Sequence, residues 1–159
     1  MELGRKIDSH NLLEQEKSSV FYNFGVEESL ILGECARNLG ISKGLPIAIE
    51  ISIYNWVTFH ISLPGSTKDN NLWIFRKSNV VYLKHHSTLY EQTVSKEEGF
   101  NWFQVNKVSK DDHAIEGGGI PIITSKAGFI GALVVSGLSQ IEDHLFGVEV
   151  LSKSKMILN

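Results

Sequence analysis

The most regular pattern in the sequence is an alternation of apolar and polar positions through residues 46–63. Isoleucine occupies every second position from Ile47 to Ile53, and a second alternation runs from Val57 to Leu63. Burial with a period of two residues is typical of a strand with one face in the core. The dipeptide Tyr54-Asn55 makes a tight connection between strands predicted near 46–53 and 56–63, which form a hairpin.

A second pair of apolar segments lies in the C-terminal third of the chain. The segments Ile120–Ile123 and Phe129–Ser136 are separated by Lys126-Ala127-Gly128, where the glycine favours a turn. This arrangement predicts two more strands, near 119–124 and 129–136. We expect all four strands to pair in one sheet, mainly antiparallel.

Apolar residues at helical spacing predict two long helices that pack on this sheet. In the helix predicted over 26–39 these residues are Leu30, Ile31, Cys35 and Leu39. Gly40 follows where a C-terminal cap glycine belongs. The helix over 140–155 begins with a capping box, in which Ser139 and Glu142 each satisfy a backbone donor.

The segments between and before these elements complete the predicted order. A helix over 70–84, capped by Thr67 or Asp69, presents one face with Trp73, Lys77, Val80 and Val81, and Ser87 or Thr88 begins another helical segment toward Lys96. Residues 1 to about 24 are expected to hold a short helix. Around Phe100, Trp102 and Phe103 the pattern fits a strand or a packed loop, and these aromatic side chains look exposed, which favours association between chains. Helices alternating with hairpins predict an α+β fold, an antiparallel sheet with helices packed on it.

Composition and charge narrow the class of protein. The chain has 159 residues, 42% of them hydrophobic, which suits one globular domain spanning 1–159. A net charge of −3 does not indicate the basic surface that binds nucleic acid. No apolar run reaches the roughly 20 residues that a membrane-spanning helix needs. The single cysteine cannot form an internal disulfide, and the first 16 residues lack the apolar core of a signal peptide. We therefore expect a cytoplasmic protein.

Short motifs spread over most of the chain resemble one known family. The most specific are Trp73 to Lys77 and Val135 to His144. The others are Pro64-Gly65-Ser66, Asp69-Asn70, His86-Ser87, Gly117-Gly118, Pro121-Ile122, Gly128 and Ile130-Gly131. In this order they are similar to the GlcG/HbpS-like, or haem-degrading, domain over a core of about 25–151. The likeness is closest to that family's uncharacterised branch of small single-domain cytosolic proteins.

The resemblance implies a profilin-like fold and a tendency to form homo-oligomers of at least two chains. For some relatives it also implies binding of haem or another small ligand. Fold does not carry function. In this branch a histidine is more usual at the position of Glu116, which puts any role of that histidine in doubt here. Haem needs an axial His, Met, Cys or Tyr, and His86 and His144 qualify in type only.

Two pairs of adjacent residues are candidates for chemistry. Asp143 could tune His144 as an acid–base pair. Adjacent helix positions point roughly 100° apart, however, so the alternative is that Asp143 favours the helix N-terminus while His144 packs against the sheet. Arg76 and Lys77 could grip a carboxylate or phosphate. The alternative is a solvated face, or an ion pair of Arg76 with an acid such as Glu116 or Asp143.

Two further segments are weaker candidates. His86-Ser87 offers a ring nitrogen and a hydroxyl, but adjacent histidines are poor joint metal ligands, and no metal site is predicted. Gly117–Gly119 favour close backbone approach or present amides to an anion. Cys35 is expected to be inert in a helix's apolar face. No Ser-His-Asp order or nucleophile elbow is recognisable, so no catalytic residues are assigned. We expect no efficient haem degradation from this chain alone, because spacing fixes no axial ligand, no flavin or nicotinamide motif supplies electrons, and Glu116 replaces the histidine usual in the branch.

These observations lead to one expected site and three functional hypotheses. The resemblance brings together a ligand site of Arg76, Lys77, His86, Ser87, Gly117, Gly118, Gly119, Asp143 and His144. Cations, glycine amides and a helix N-terminus all attract negative charge. The leading hypothesis is an oligomeric module that binds a small anion or carboxylate. The alternatives are a haem-binding or haem-degrading protein, and a protein-interaction subunit with a vestigial pocket.

Overall fold

The structure is a computed structural model that describes residues 6–159. Within this range six helices and four strands follow one another along the chain. They are α1 Ser9–Ser18, α2 Val26–Ser42, β1 Ala48–Ile53, β2 Trp56–Ser62, α3 Lys68–Lys84, α4 Thr88–Glu98, α5 Trp102–Asn106, β3 Gly119–Thr124, β4 Gly128–Ser136 and α6 Gln140–Leu158. None of these helices is both long and apolar enough to cross a bilayer.

The four strands form one antiparallel sheet in the order β2-β1-β4-β3. The two predicted hairpins therefore lie side by side, joined where Ile49 of β1 pairs with Val135 of β4. In the β1–β2 turn Tyr54 and Asn55 have φ angles of +47° and +65°. Two successive left-handed residues match the twist of a two-residue hairpin loop, so the predicted tight connection is confirmed.

Alternate residues of the sheet bury opposite faces. Ile49, Ile51 and Val135 belong to a core cluster on the face that α2 and α6 cover. Their neighbours Ala48 and Val134 contribute to a second cluster with residues of α3 on the other face. The sheet is thus covered on both faces, and the predicted α+β architecture, with helices packed on an antiparallel sheet, is confirmed.

The predicted packing face of α2 is wrong in part. Leu30 and Ile31, expected to face the core, are exposed, and the helix instead buries Leu32 and Ala36. Gly40 does not cap the helix, which continues to Ser42; a Cβ on Gly40 would collide with Leu63. Small residues let this helix approach the sheet closely, and a pattern of large apolar residues does not reveal such a face.

The aromatic segment after α4 is neither a strand nor a plain loop. It forms the short helix α5, in which the Asn101 side chain accepts a hydrogen bond from Gln104 N and so caps the N-terminus. Trp102, which looks exposed from the sequence, is only 2% exposed, and its Nε1 donates to Glu91 Oε1 at 3.1 Å. Phe103 is half-buried, so this segment does not supply the exposed apolar surface expected of it.

Candidate functional site

A buried ion pair lies where α3 and α6 meet the C-terminal end of β4. Lys77 Nζ is 3.2 Å from Asp143 Oδ2 and donates a second hydrogen bond, of 3.0 Å, to the carbonyl oxygen of Val135. Both charged side chains are 3% exposed. The backbone N–H groups of Leu138 and Gly137 donate to Asp143 at 2.9 and 3.4 Å. These partners offset the cost of removing the two charges from water.

Local sequence explains how the pair forms. Lys77 lies on the face of α3 that also buries Ile74 and Val81. Asp143 lies in the first turn of α6, which starts at the predicted capping box of Ser139 and Glu142. The capping box is confirmed, and it places the carboxylate beside the chain that enters the helix.

The glycine before β3 is required by the ion pair. Gly118 has a φ of +130°, in the region that L side chains rarely adopt. A Cβ there would collide with the carbonyl oxygen of Val135 and lie 2.8 Å from Lys77 Nζ and 3.1 Å from Asp143 Cβ. The close-approach interpretation of this glycine segment therefore accounts for Gly118.

The flanking glycine amides already have partners. The N–H of Gly117 donates to Gln140 Oε1 at 3.1 Å, and the N–H of Gly119 donates to Thr88 Oγ1 at 3.0 Å. These two N–H groups are therefore not free to bind an anion. The sequence had suggested that they could do so.

A pocket of about 270 Å³ opens beside the ion pair. Its walls come from α3, the segment before β3, the end of β4 and the start of α6: Asn70, Trp73, Lys77, Glu116, Ser136, Gly137, Leu138, Gln140 and Asp143. This volume lies just below the usual range for small-molecule sites, which begins near roughly 300 Å³. The pocket therefore suits a molecule of a few heavy atoms.

Burial shifts the titration of both partners in the pair. Desolvation lowers the pKa of Lys77, and the attraction of Asp143 only partly offsets it. Desolvation likewise raises the pKa of Asp143, against the attraction of Lys77 and the backbone donors. Both shifts favour the neutral forms, so moving a proton from the ammonium to the carboxylate costs less here than in water.

The structure brings only part of the predicted site together. Lys77 and Asp143 line the pocket, and Gly118 lies against both. Arg76 does not line it: its guanidinium lies 4.5 Å from the Trp73 ring centroid, and its Nε donates to the carbonyl oxygen of Lys110. Of the two adjacent cations, it is Lys77 that pairs with an acid.

The predicted His86, Ser87 and His144 lie instead against α1. Both oxygens of Glu16 are used there, accepting from His86 Nδ1 and from Ser87 N, each at 2.8 Å. His144 Nε2 donates to Gln15 Oε1 at 2.6 Å. We call these five residues the α1 cluster. Adjacent residues on α6, Asp143 and His144, thus serve different clusters, as their angular spacing predicts.

The two histidines of the α1 cluster titrate in opposite directions. The hydrogen bond to Glu16 raises the pKa of His86. Burial lowers the pKa of His144 to about 4, so this ring is neutral at pH 7. Within the described residues His144 Nδ1 and Gln15 Nε2 are buried without hydrogen-bond partners. The α1 cluster therefore buries His144 but leaves two of its polar atoms without hydrogen bonds, and Gln15 also borders a wider pocket of about 970 Å³.

Haem, implied by the resemblance for some relatives, does not fit the pocket beside Lys77 and Asp143. None of the nine lining residues is a His, Met, Cys or Tyr, the side chains that hold haem iron. His86 and His144 are both held by residues of α1. Within residues 6–159 no group of three or more His, Cys, Asp or Glu is placed to hold a metal ion.

Several residues of this pocket were not assigned to a site from the sequence. Ser136, Gly137 and Leu138 belong to a stretch that carried the family resemblance, and this was the available signal. Nothing in the sequence pointed to Gln140 as a pocket residue. Its position depends on contacts with distant residues, since Gly117 N and Gln92 Nε2 both donate to its Oε1. Glu116 was noted as a departure from the family pattern and as an acid that could pair with Arg76.

Fold and pocket together define a small α+β protein with a ligand-sized cavity where two helices meet the end of a strand. The chain belongs to the HbpS-like family: the family model described as "Haem degrading protein HbpS-like" matches residues 24–152. A "UPF0303 protein" of Brucella anthropi is 39% identical over 134 residues, covering 84% of this chain and 79% of its own. One of Lactiplantibacillus plantarum is 34% identical, covering 91% and 94%.

Solved structures show the same fold. The crystal structure of Ybr137w protein superposes with a TM-score of 0.85 at 27% identity, covering 94% of this chain and 88% of that one. A PduOC:heme complex gives 0.69 at 15% identity, covering 81% and 93%. HbpS gives 0.63 at 12% identity, covering 96% and 93%. The last two likenesses concern the fold alone.

Proposed function

We propose that this protein is a small-molecule-binding module whose ligand occupies the pocket beside Lys77 and Asp143. The observation that carries the proposal is a buried lysine that lines a cavity and whose ammonium has one N–H without an acceptor in the described chain. An ammonium has three N–H bonds, and within the described residues only Val135 O and Asp143 Oδ2 accept from Lys77. A ligand oxygen is the natural third acceptor.

The other polar groups of the pocket favour a carbonyl or carboxylate compound. Asn70 Nδ2 has one contact in the described chain, a long 3.4 Å bond to Ser136 Oγ, and Gln140 Nε2 has none. Both amides can donate to a ligand oxygen. Glu116 also lines the pocket and opposes an anion. The best-suited ligand therefore offers oxygen acceptors to the amides and a hydroxyl donor to Glu116.

Thermal melts with small carboxylates test this proposal. Acetate and lactate should raise the melting temperature of the wild type, lactate more than acetate because its hydroxyl can donate to Glu116. Glu116→Gln should bind acetate more tightly because it removes a like charge, and Asn70→Ala should bind both more weakly. Asn79→Ala is the matched control on the same helix, since Asn79 donates to Asp112 O outside the pocket. Equal ligand shifts in all four proteins would exclude this pocket.

The same melts decide between this pocket and the larger site expected from the sequence. Arg76→Ala and His86→Ala lie outside the pocket and should leave the lactate shift unchanged. Loss of the shift in either variant would instead support the site expected from the resemblance.

We also propose that the chain, as a single domain, works as a homo-oligomer. Exposed apolar side chains support this: Trp56 and Val57 on edge strand β2 are 64% and 49% exposed, and Leu72 and Phe75 on α3 are 54% and 56% exposed. Apolar surface of this kind marks association sites when it is contiguous. Light scattering should give at least a dimer mass, and a monomer at micromolar concentration would contradict this. A cytoplasmic location stays a prediction.

Haem binding is the alternative function. The family description and the PduOC:heme complex support it, whereas the pocket residues of the single chain do not. Binding would require a ligand from another surface or another subunit. A Soret band that develops at one haemin per chain, and that is lost in a histidine variant, would favour it over the carboxylate proposal. If neither haemin nor carboxylates bind, the protein-interaction hypothesis gains support.

A further inference from the structure

We propose that Lys77 is a nucleophile that captures small aldehydes in this pocket as a protonated imine. The proposal rests on the proposed function, because the same cavity must admit the aldehyde. It goes further by assigning a covalent step to one atom, Lys77 Nζ.

The burial of Lys77 separates it from other lysines of the described chain. Its side chain is 3% exposed, whereas those of Lys17, Lys43 and Lys153 are 71%, 48% and 55% exposed. A desolvated lysine in a pocket is a common source of an amine nucleophile. A purely structural ion pair needs no cavity beside it, and here both Lys77 and Asp143 line a cavity.

The surroundings of Lys77 supply the proton transfers. Asp143 Oδ2, at 3.2 Å, can take the proton that must leave before Nζ has a free electron pair. The lowered pKa of Lys77 and the raised pKa of Asp143 both favour that transfer. Glu116 lines the same pocket and can pass protons to and from the carbonyl oxygen. Val135 O holds the amine in place during these steps.

The reaction balances without an oxidant or reductant. Asp143 takes one proton from the ammonium, and the electron pair of Nζ forms a bond to the carbonyl carbon. The carbonyl π electrons move to oxygen, which takes a second proton from nitrogen to give a carbinolamine. The proton stored on Asp143 then returns to that hydroxyl, directly or through Glu116, and water leaves. The third original proton stays on the iminium nitrogen, whose positive charge faces the regenerated carboxylate.

Reductive trapping on the full chain tests the proposal. The protein is incubated with acetaldehyde and sodium cyanoborohydride, which reduces the imine to a stable ethylamine, and each lysine is quantified by peptide mass analysis. We expect Lys77 to be labelled about tenfold faster than exposed Lys153, since positioning favours the bound aldehyde. Lys77→Arg should lose this fast-labelled site while keeping a cation beside Asp143. Glu116→Gln should slow the labelling about a hundredfold, the low end for acid–base catalysis.

The outcomes separate this step from the proposed function. Labelling of Lys77 no faster than Lys153 in the wild type would overturn the imine proposal, and this comparison needs no variant to fold. If acetate and lactate still stabilise that same protein through Asn70 and Glu116, the binding function stands without the imine. If the carboxylates also fail, both proposals fail together.

Discussion

The two buried polar clusters of this protein begin from adjacent residues, yet they differ in access. In the pocket, Asp143 pairs with Lys77 beside a cavity of about 270 Å³. In the α1 cluster, His144 is 1% exposed and bonds to Gln15. Both clusters join distant parts of the chain through charged or hydrogen-bonded side chains. In the first cluster both charged residues, Lys77 and Asp143, line the pocket. In the α1 cluster, among the described residues, Gln15 alone borders a cavity, a wider one of about 970 Å³.

Residue type alone therefore does not define a site in this protein. The histidines are the more usual candidates for chemistry near pH 7, but α1 holds both of them. The lysine and aspartate resemble a structural ion pair, but a cavity reaches them. We expect the α1 cluster to control stability and the pocket to control both stability and binding.

The largest effect should come from breaking the pocket's ion pair. Lys77→Met leaves Asp143 buried without its cation and should lower the free energy of unfolding by about 3–5 kcal/mol. The neighbouring Arg76→Ala should cost no more than about 2 kcal/mol, since it loses a cation–π contact with Trp73 and one exposed hydrogen bond to Lys110 O. Urea unfolding measures both. Similar costs for the two variants would remove the distinction between these adjacent cations.

The pH dependence of stability should reveal that the buried His144 ring is held neutral in the folded protein. Its pKa is about 4 in the folded protein and 6.5 when unperturbed, so between these values the unfolded chain binds more protons. Stability should therefore fall from pH 7 to pH 4 by up to about 3 kcal/mol, since one pKa unit is worth about 1.4 kcal/mol. His144→Gln should remove this part of the slope. An identical slope in that variant would show that the ring is not held neutral.

His86 should have the opposite effect on the pH dependence of stability. Its folded pKa is raised, so its stabilising contribution is complete below the unfolded value of 6.5 and is lost as the pH rises through the folded pKa. The His86→Ala variant should therefore lose more stability at pH 5.5 than at pH 8.5. A loss that is the same at both pH values would mean that the charged pair with Glu16 contributes nothing measurable.

A smaller effect should distinguish the crowded glycine beside the pocket from an open one. Gly118→Ala combines strained backbone with a collision at Val135 O and should cost about 1–3 kcal/mol. Gly128→Ala is the matched control, because Gly128 also has a positive φ, of +74°, but an added Cβ there would meet nothing within 4 Å. It should cost about 1 kcal/mol. Calorimetric melts compare the two, and equal losses would argue against tight packing on the ion pair.

The smallest effect should come from loosening α1. Glu16→Ala removes the acceptor of Ser87 N and His86 Nδ1 and should cost about 1–2 kcal/mol. Glu14→Ala, which loses only an exposed pair with Lys17, should leave stability essentially unchanged. Hydrogen exchange should speed up across α1 in the first variant only. Unchanged exchange there would show that α1 is held by other contacts.

Local pattern was enough to predict most of the fold. The alternation from Ile47 to Ile53 and the capping box at Ser139 depend on neighbouring residues, so both elements were predicted close to their observed bounds. The face of α2 was not predictable in this way. It packs through Gly33, against Phe59, and through Gly40, against Leu63, and such contacts exist only once the sheet is in place.

The candidate site was only partly predictable for the same reason. Lys77 and Asp143 were both candidates, but they lie 66 residues apart, and nothing in their spacing predicts that they pair. Nothing in the sequence singled out Gln15 and Glu16, although they form hydrogen bonds with His144 and His86. Family resemblance supplied the candidate residues, and the three-dimensional contacts separated those at the pocket from those beneath α1.

Tryptophan indole resonances can show whether the ligand occupies the pocket beside Lys77. The chain has three tryptophans. Trp73 lines the pocket, Trp102 is buried with its Nε1 bonded to Glu91, and Trp56 is exposed on edge strand β2. In a ¹⁵N–¹H correlation spectrum, lactate should shift the Trp73 indole signal in a saturable way and leave the other two in place. Saturable shifts of Trp56 or Trp102 without Trp73 would contradict binding at this pocket.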